Sequence, residues 1–220
     1  MKRRIIFLGL LASLTGCEKE PEVSAPPEIV AGSATAQLNH LLTPIDRVER
    51  YENPLYDLLS AQELGEPSGG GTMQSQTGEI EYIDVAISLT DLDKGIPLVI
   101  SKLEELGAPK GSVLEVYDTD PPREIPFGKA EGVGVYLDGV NLPDEVYQES
   151  DVNVAIDGLN KAIEGHGEMQ GHWRGNTETA LYFYGEDASR MIELMQDFLK
   201  TYPLCEGARV VTIAPKQAED

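Results

Sequence analysis

Apolar and polar residues alternate along the middle of the chain in two different periods, which predict strands and helices in turn. From Ile83 to Leu89 the period is two, as in a strand with one buried face. From Leu92 to Leu106 apolar residues recur at helical spacing, and Gly107 and Pro109 close the segment. Residues 112–117 again alternate. The pattern therefore predicts a strand–helix–strand unit.

From residue 131 onward the pattern predicts strand, helix, strand, strand, helix, strand, which is the order of the ferredoxin-like split unit. Together with the preceding unit, it predicts one α+β domain over residues 78–215. Its sheet would be mixed or antiparallel, with about six strands and with helices packed on one face. A parallel α/β sheet is the alternative, although the short link between residues 174 and 179 favours a hairpin.

The region before this domain carries helix signals and a glycine run. Thr43-Pro44 and Asn53-Pro54 each place a capping residue before proline, which predicts two short helices within residues 38–65, separated at Pro54. The triplet Gly69 to Gly71 predicts a hinge or a close backbone approach. A phosphate cradle would need a helix N-terminus and a lysine. Residues 118–128, broken by prolines, are predicted as a loop.

The first 17 residues have the order of a secretory signal: three cations, an apolar run from Ile5 to Leu14, then small residues. The apolar run is too short for a membrane span, which needs about 20 residues. Leu14-Thr15-Gly16-Cys17 resembles the lipobox of bacterial prolipoproteins. That resemblance implies that residues 1–16 are removed, that Cys17 receives a diacylglyceryl thioether, and that its new amino terminus is acylated with a fatty acid such as palmitate.

The same resemblance implies an address in the bacterial cell envelope, with the membrane as a partner through the lipid on Cys17. In a Gram-negative cell, Glu18 in place of aspartate favours the periplasmic side of the outer membrane. Residues 17–37, with prolines and no periodic apolar face, are predicted to be a flexible tether.

The chain is strongly acidic, with 38 acidic and 17 basic residues and a formal net charge of −21. Three of the basic residues leave with the signal peptide, so the mature chain is more acidic still. This balance argues against nucleic acid as a partner, because phosphate contacts come from lysine and arginine. It fits a protein partner with a basic surface, although solubility alone would also account for it.

No catalytic motif, cofactor motif or nucleophile–base pair is recognisable, so no catalytic residue and no cofactor is predicted. His166, Glu168 and His172 form one conceivable metal group, which motivates an exported hydrolase or metal-dependent enzyme as the second hypothesis. His40 is predicted to be solvated near the tether. Cys205, which lacks a partner if Cys17 is lipidated, is predicted to be a core residue.

Tyrosines and acids recur on the strand positions that point away from the helices, which predicts a binding face on the sheet. The predicted residues are Tyr82, Asp84, Tyr136, Asp138, Tyr182 and Tyr184. Glu115 and Tyr117 join them if Leu114 and Val116 point inward. Trp173 is either an anchor for a partner or folded back on the core. The N-terminal helices are the alternative cover for this face.

Three segments are similar to uncharacterised small acidic α+β proteins of bacteria: Tyr51 to Leu55, Gly69 to Thr72, and Trp173 to Gly185. The likeness spans residues 45–214 and implies no catalytic residue. Small acidic proteins of this type include immunity proteins. The first hypothesis is therefore a lipid-anchored binding or inhibitor protein, with an immunity protein as one form of it, and the third is a structural envelope lipoprotein.

Overall fold

The computed structural model describes residues 29–216, and these residues form two antiparallel sheets with helices. The predicted signal peptide and the lipidation site at Cys17 lie outside the described residues. The strands are β1 Gly32–Leu38, β2 Gly65–Gln74, β3 Ile80–Leu89, β4 Ser112–Val116, β5 Arg123–Phe127, β6 Glu131–Asp138, β7 Gly167–Arg174, β8 Glu178–Gly185 and β9 Arg209–Ala214. The helices are α1 Pro44–Arg47, α2 Asn53–Ala61, α3 Leu92–Glu105, α4 Asp144–Glu149, α5 Val152–Ala162 and α6 Ala188–Thr201.

The first sheet has five strands in the order β2-β3-β1-β4-β5, and every neighbouring pair is antiparallel. Alternate residues of β1, β3 and β4 point to one side, where α2 and α3 cover them. Tyr51, Leu55 and Leu59 supply the helical side of this core, and Val99 and Leu103 supply the rest. All five side chains are fully buried.

The second sheet has four strands in the order β7-β8-β6-β9, again with antiparallel neighbours. Its core lies between the sheet and helices α5 and α6. Val133, Val135 and Phe183 come from the strands, and Leu159 and Met195 come from the helices. From residue 131 onward the predicted order of strands and helices is the observed one, with the short helix α4 added between β6 and α5.

The prediction of one sheet of about six strands over residues 78–215 is wrong, because the first unit has strands of its own that the pattern did not reveal. Strand β1, Gly32–Leu38, lies at the centre of the first sheet, although residues 32–37 were predicted as tether. Its buried positions are the small residues Ala34 and Ala36, so its alternation is weak in hydrophobicity. With β1 and β2 in place, the strand–helix–strand unit completes a separate sheet.

Two predicted loops are strands at the edges of that sheet. The glycine triplet lies inside β2 and is not a hinge. A close backbone approach does occur there, since a Cβ on Gly70 would lie 2.4 Å from the Asp84 carbonyl oxygen. Pro67 is tolerated because β2 is an edge strand. Residues 123–127, within the predicted loop 118–128, form β5 on the opposite edge.

The two predicted N-terminal helices are joined into one helical run, because Pro54 does not break it. Thr43 caps the run by accepting a hydrogen bond from the Asp46 amide. A π-helical turn, Val48–Glu52, precedes Asn53, and the backbone stays helical throughout. The wider π turn lets a proline enter without the carbonyl clash that it causes in a regular helix. None of the helices between residues 29 and 216 is long and apolar enough to cross a membrane.

Candidate binding surface

The predicted tyrosine-rich face is divided between the two sheets. Tyr82 and Asp84 lie on the first sheet, on the side away from its helices. Tyr136, Tyr182 and Tyr184 lie on the corresponding side of the second sheet. The first of these surfaces is open, whereas the second is covered by the other half of the chain. The expectation of one continuous face is therefore wrong.

The tyrosines of the second sheet form the contact between the two halves. Tyr136, Tyr182 and Tyr184 are 7%, 0% and 1% exposed. The covering residues come from two segments of the first unit, the link from β1 to α1 and the turn from β2 to β3. Leu41 and Ile80 pack there against the tyrosines. The cover is thus a loop and a turn rather than the N-terminal helices.

One carboxylate ties this contact together. Glu79, in the turn from β2 to β3, accepts hydrogen bonds from the hydroxyls of Tyr136 and Tyr182, each at 2.7 Å to Oε1. Burial and the bonds to Glu79 raise the pKa values of both tyrosines, so both hydroxyls stay protonated and donate. The guanidinium of Arg209 lies 3.7 Å from the centre of the Tyr136 ring. The carboxylate of Glu79 and the two tyrosines are therefore structural partners in the contact between the units.

His40 lies inside the same contact and is fully buried, so the prediction that it is solvated is wrong. Its Nδ1 shares a 2.8 Å hydrogen bond with the Tyr51 hydroxyl, and its ring centre is 4.2 Å from that of Tyr184. The next amide, Leu41 N, donates to the Tyr184 hydroxyl at 3.1 Å. Burial, reinforced by the nearby positive charge of Arg50, lowers the pKa of His40 well below its ordinary value. The ring is therefore neutral at pH 7.

The remaining predicted residues have local roles. Asp138 ends β6, and its carboxylate accepts from the amides of Val140 and Asn141, each at 2.8 Å. Trp173 is half-buried at the margin of the tyrosine contact, and its ring covers Gly175, where a Cβ would lie 2.2 Å from the indole. The tryptophan is folded back on the protein. Cys205 is buried, as predicted, and burial raises the pKa of its thiol to about 11.

The open side of the first sheet is acidic, and the strand pairing assigns its residues. Four carboxylates point to it, those of Glu66, Asp84, Glu115 and Glu124. Its other members are Ser33, Thr35, Gln37, Met73, Tyr82, Ala86, Ser88, Val113, Tyr117 and Pro126. No lysine or arginine in these five strands points to that side. None of the side chains is buried. We call this surface the acidic face.

Two contacts give the acidic face a defined chemistry. Tyr117 is 46% exposed, and its hydroxyl donates to Glu115 Oε2 at 2.9 Å, which holds both side chains in place. Asp84 stands near the middle of the face, and its Oδ1 is shielded from water without a hydrogen-bond donor. Burial raises the pKa of Asp84 above its ordinary value.

The residues of the metal hypothesis are not brought together. Glu168 pairs with Tyr184 and points to the covered side, whereas His172 pairs with Leu181 and points to the helix side, because an irregularity between Met169 and Gly171 shifts the register. His166 lies before the strand and is exposed. Within residues 29–216, no group of three or more histidine, cysteine or acidic side chains is arranged to hold a metal ion.

No family model matches the chain, and no curated protein matches it either. Three solved structures are similar over most of its length. Protein BT0572 from Bacteroides thetaiotaomicron is 8% identical, covering 84% of this chain and 94% of its own, with a TM-score of 0.26. An unknown protein from Galdieria sulphuraria is 9% identical, with coverages of 83% and 98% and a TM-score of 0.29. The first two RRM domains of the yeast poly(U) binding protein Pub1 are 10% identical, with coverages of 82% and 99% and a TM-score of 0.23. At these scores the likenesses carry no argument about function.

Proposed function

We propose that the protein is a lipid-anchored binding protein of the bacterial envelope, which uses the acidic face of its first sheet to bind a basic protein. We infer that the fold is a tandem of two ferredoxin-like units, since each sheet contains the order strand, helix, strand, strand, helix, strand. In the second unit, the side of the sheet away from the helices packs against the first unit. In the first unit, the corresponding side of the sheet stays open and is proposed to bind a partner.

The observation that carries the proposal is the one-sided charge of this face. Four carboxylates and no lysine or arginine point from the five strands toward the open side of the sheet. A basic surface would pair with these groups and would be steered to them by the net charge of −21. The same charge disfavours a phosphate backbone. An inhibitor of a basic enzyme or toxin, as an immunity protein is, would have this chemistry.

The proposed anchor limits where the face can act. The fold begins at Gly32, 15 residues after Cys17. At no more than about 3.6 Å per residue, the intervening chain spans at most about 50 Å. Because β1 starts at Gly32 and the second unit begins only at β6, the first unit is the nearer one to the anchor along the chain. The partner is therefore a protein of the same envelope compartment.

The anchor is tested by replacing Cys17 with serine. We expect the Cys17→Ser protein to keep residues 1–16 and to lack the mass of the acyl groups, because the thioether can no longer form. Cys205→Ser is the matched control, since that buried thiol lies in the second core, and it should be lipidated as the parent is. Fractionation with mass spectrometry provides the measurement. Normal processing and acylation of Cys17→Ser would contradict the anchor.

The acidic face is tested by reversing two of its charges. Glu115 and Glu124 stand opposite each other on β4 and β5, so E115K/E124K reverses two charges at one place. D157K/D197K reverses two exposed carboxylates on α5 and α6 and serves as the control, with the same change in net charge. In capture from envelope extract at low salt, we expect the first variant to lose the parent's partner and the control to keep it. Equal loss of the partner in both variants would show that the effect depends only on net charge. No loss in either variant would contradict the proposal that the acidic face binds the partner.

A further inference from the structure

A second surface, independent of the acidic face, is a cleft of about 920 Å³ in the second unit. Its floor is the helix side of the sheet at the ends of β6, β7 and β8. Its wall is the segment from α4 to the first turns of α5. The lining includes apolar side chains from both, Leu137, Leu181, Val152, Ile156 and Leu204. Val152 is 37% exposed, so apolar surface is open to a ligand there. The volume is in the range of small-molecule sites.

The floor contributes positive charge. Arg174 carries this charge; it lies on β7 and faces the helix side, opposite Thr179 on β8. Six arginines lie between residues 29 and 216, and five of them have a carboxylate within 4.0 Å. Arg174 is the sixth and has none in that part of the chain. Arg174 is exposed at the cleft, so its guanidinium leaves a bidentate donor available for a carboxylate.

The wall contributes negative charge. Glu149 ends α4 and makes no ion pair with any residue of the described part of the chain. Asp151 caps α5 through Oδ1, which accepts from the Asn153 amide at 2.8 Å, and its other oxygen is free to accept. Asp138 also lines the cleft, but its oxygens are taken by Val140 and Asn141. The acceptors available to a ligand are therefore those of Glu149 and Asp151.

We propose that this cleft binds a small apolar zwitterion of the α-amino-acid class, with its carboxylate at Arg174 and its ammonium at Glu149 and Asp151. A simple anion would meet more carboxylates than cations in the lining. A simple amine would leave Arg174 without a partner. A zwitterion satisfies both sides, and its apolar side chain packs on the exposed Val152 of the wall. The site is separate from the protein-binding face.

The test uses the purified full-length protein in detergent and three probes of similar shape. L-Leucine carries both charges, 4-methylpentanoate carries only the carboxylate, and 3-methylbutylamine carries only the ammonium. We expect leucine to bind at least about tenfold more tightly than either, which is the effect of one charge-assisted hydrogen bond. Titration calorimetry provides the dissociation constants. Equal affinity for all three probes, or no binding of leucine at millimolar concentration, would overturn the proposal.

Variants separate the two charged ends. Arg174→Gln should weaken leucine about tenfold and leave the amine unchanged, whereas Glu149→Gln should weaken leucine and the amine and spare the acid. Arg190→Gln, an exposed arginine on α6 outside the cleft, is the control and should bind leucine as the parent does. Unchanged leucine affinity in Arg174→Gln would also overturn the proposal. E115K/E124K should bind leucine normally, so failure of the acidic face and failure of this site are distinguishable.

Discussion

Replacing Tyr182 with alanine is expected to lower the free energy of unfolding by about 3–5 kcal/mol, as for other large aromatic residues in a core. Tyr182 is fully buried between the two units, and its hydroxyl donates to Glu79. Its removal leaves a cavity at the contact and takes one donor from a carboxylate. Urea unfolding, followed by the fluorescence of the single tryptophan at position 173 beside this contact, provides the measurement.

Two variants show whether burial is the cause. Tyr182→Phe keeps the ring and loses only the hydrogen bond, so it should cost about 1 kcal/mol. Tyr117→Ala removes a tyrosine from the exposed acidic face and should change stability by no more than about 0.5 kcal/mol. A Tyr182→Ala protein as stable as the Tyr117→Ala protein would show that the back of the second sheet is open. That result would favour the sequence-based prediction of a binding face at Tyr136 and Tyr182.

The second expected result is a loss of stability between pH 6.5 and 5 that depends on His40. Its folded-state pKa is lowered, first by burial and then by Arg50, from the ordinary value of 6.5. Below pH 6.5 the unfolded chain therefore binds a proton more readily than the folded protein, so stability falls as pH falls. For one titrating group the slope is at most about 1.4 kcal/mol per pH unit. Carboxylates contribute mainly below this window.

The groups that face His40 explain why protonation is unfavourable. They are the Tyr51 hydroxyl, the ring of Tyr184, the side chain of Gln170 and the positive charge of Arg50. Of these only Arg50 carries a charge, and it repels a charged imidazole. Urea unfolding at a series of pH values should show the slope in the parent and in His166→Gln, an exposed histidine, and not in His40→Gln. The same slope in all three proteins would contradict the assignment.

Sequence patterning predicted the parts of the fold in which apolar and polar residues alternate strongly. The second unit is such a part, and its order from β6 to β9 follows from the two periods. β1 was missed because alanines occupy its buried positions, and β2 was missed because glycines occupy an edge strand. A strand without large apolar residues has no alternation to read, and its pairing partners are distant in sequence. Because these two strands were not predicted, the pattern indicated one sheet where the structure has two.

The candidate site was predicted only in part, because its exposure depends on contacts between residues that are distant in sequence. Leu114 and Val116 point inward, which is the condition under which Glu115 and Tyr117 join the predicted face, and both lie on the acidic face. The pattern also shows that Tyr136 and Tyr182 point away from their helices. It does not show what lies beyond them, because Glu79 is more than 50 residues away and sits in a polar turn. Burial of His40 depends on the same long-range contact. Tertiary packing of one unit on the other decided which face stayed open.

The central claim is that the acidic face of the first sheet binds a basic protein through its carboxylates. The most direct measurement is the affinity for the captured partner at increasing salt, for the parent, E115K/E124K and D157K/D197K. The parent and the control variant should lose affinity steeply and in parallel as salt rises, because salt screens the attraction. E115K/E124K should bind weakly at every concentration, with a flatter dependence. An affinity that does not change with salt concentration, or equal affinities for the two double variants, would contradict the claim.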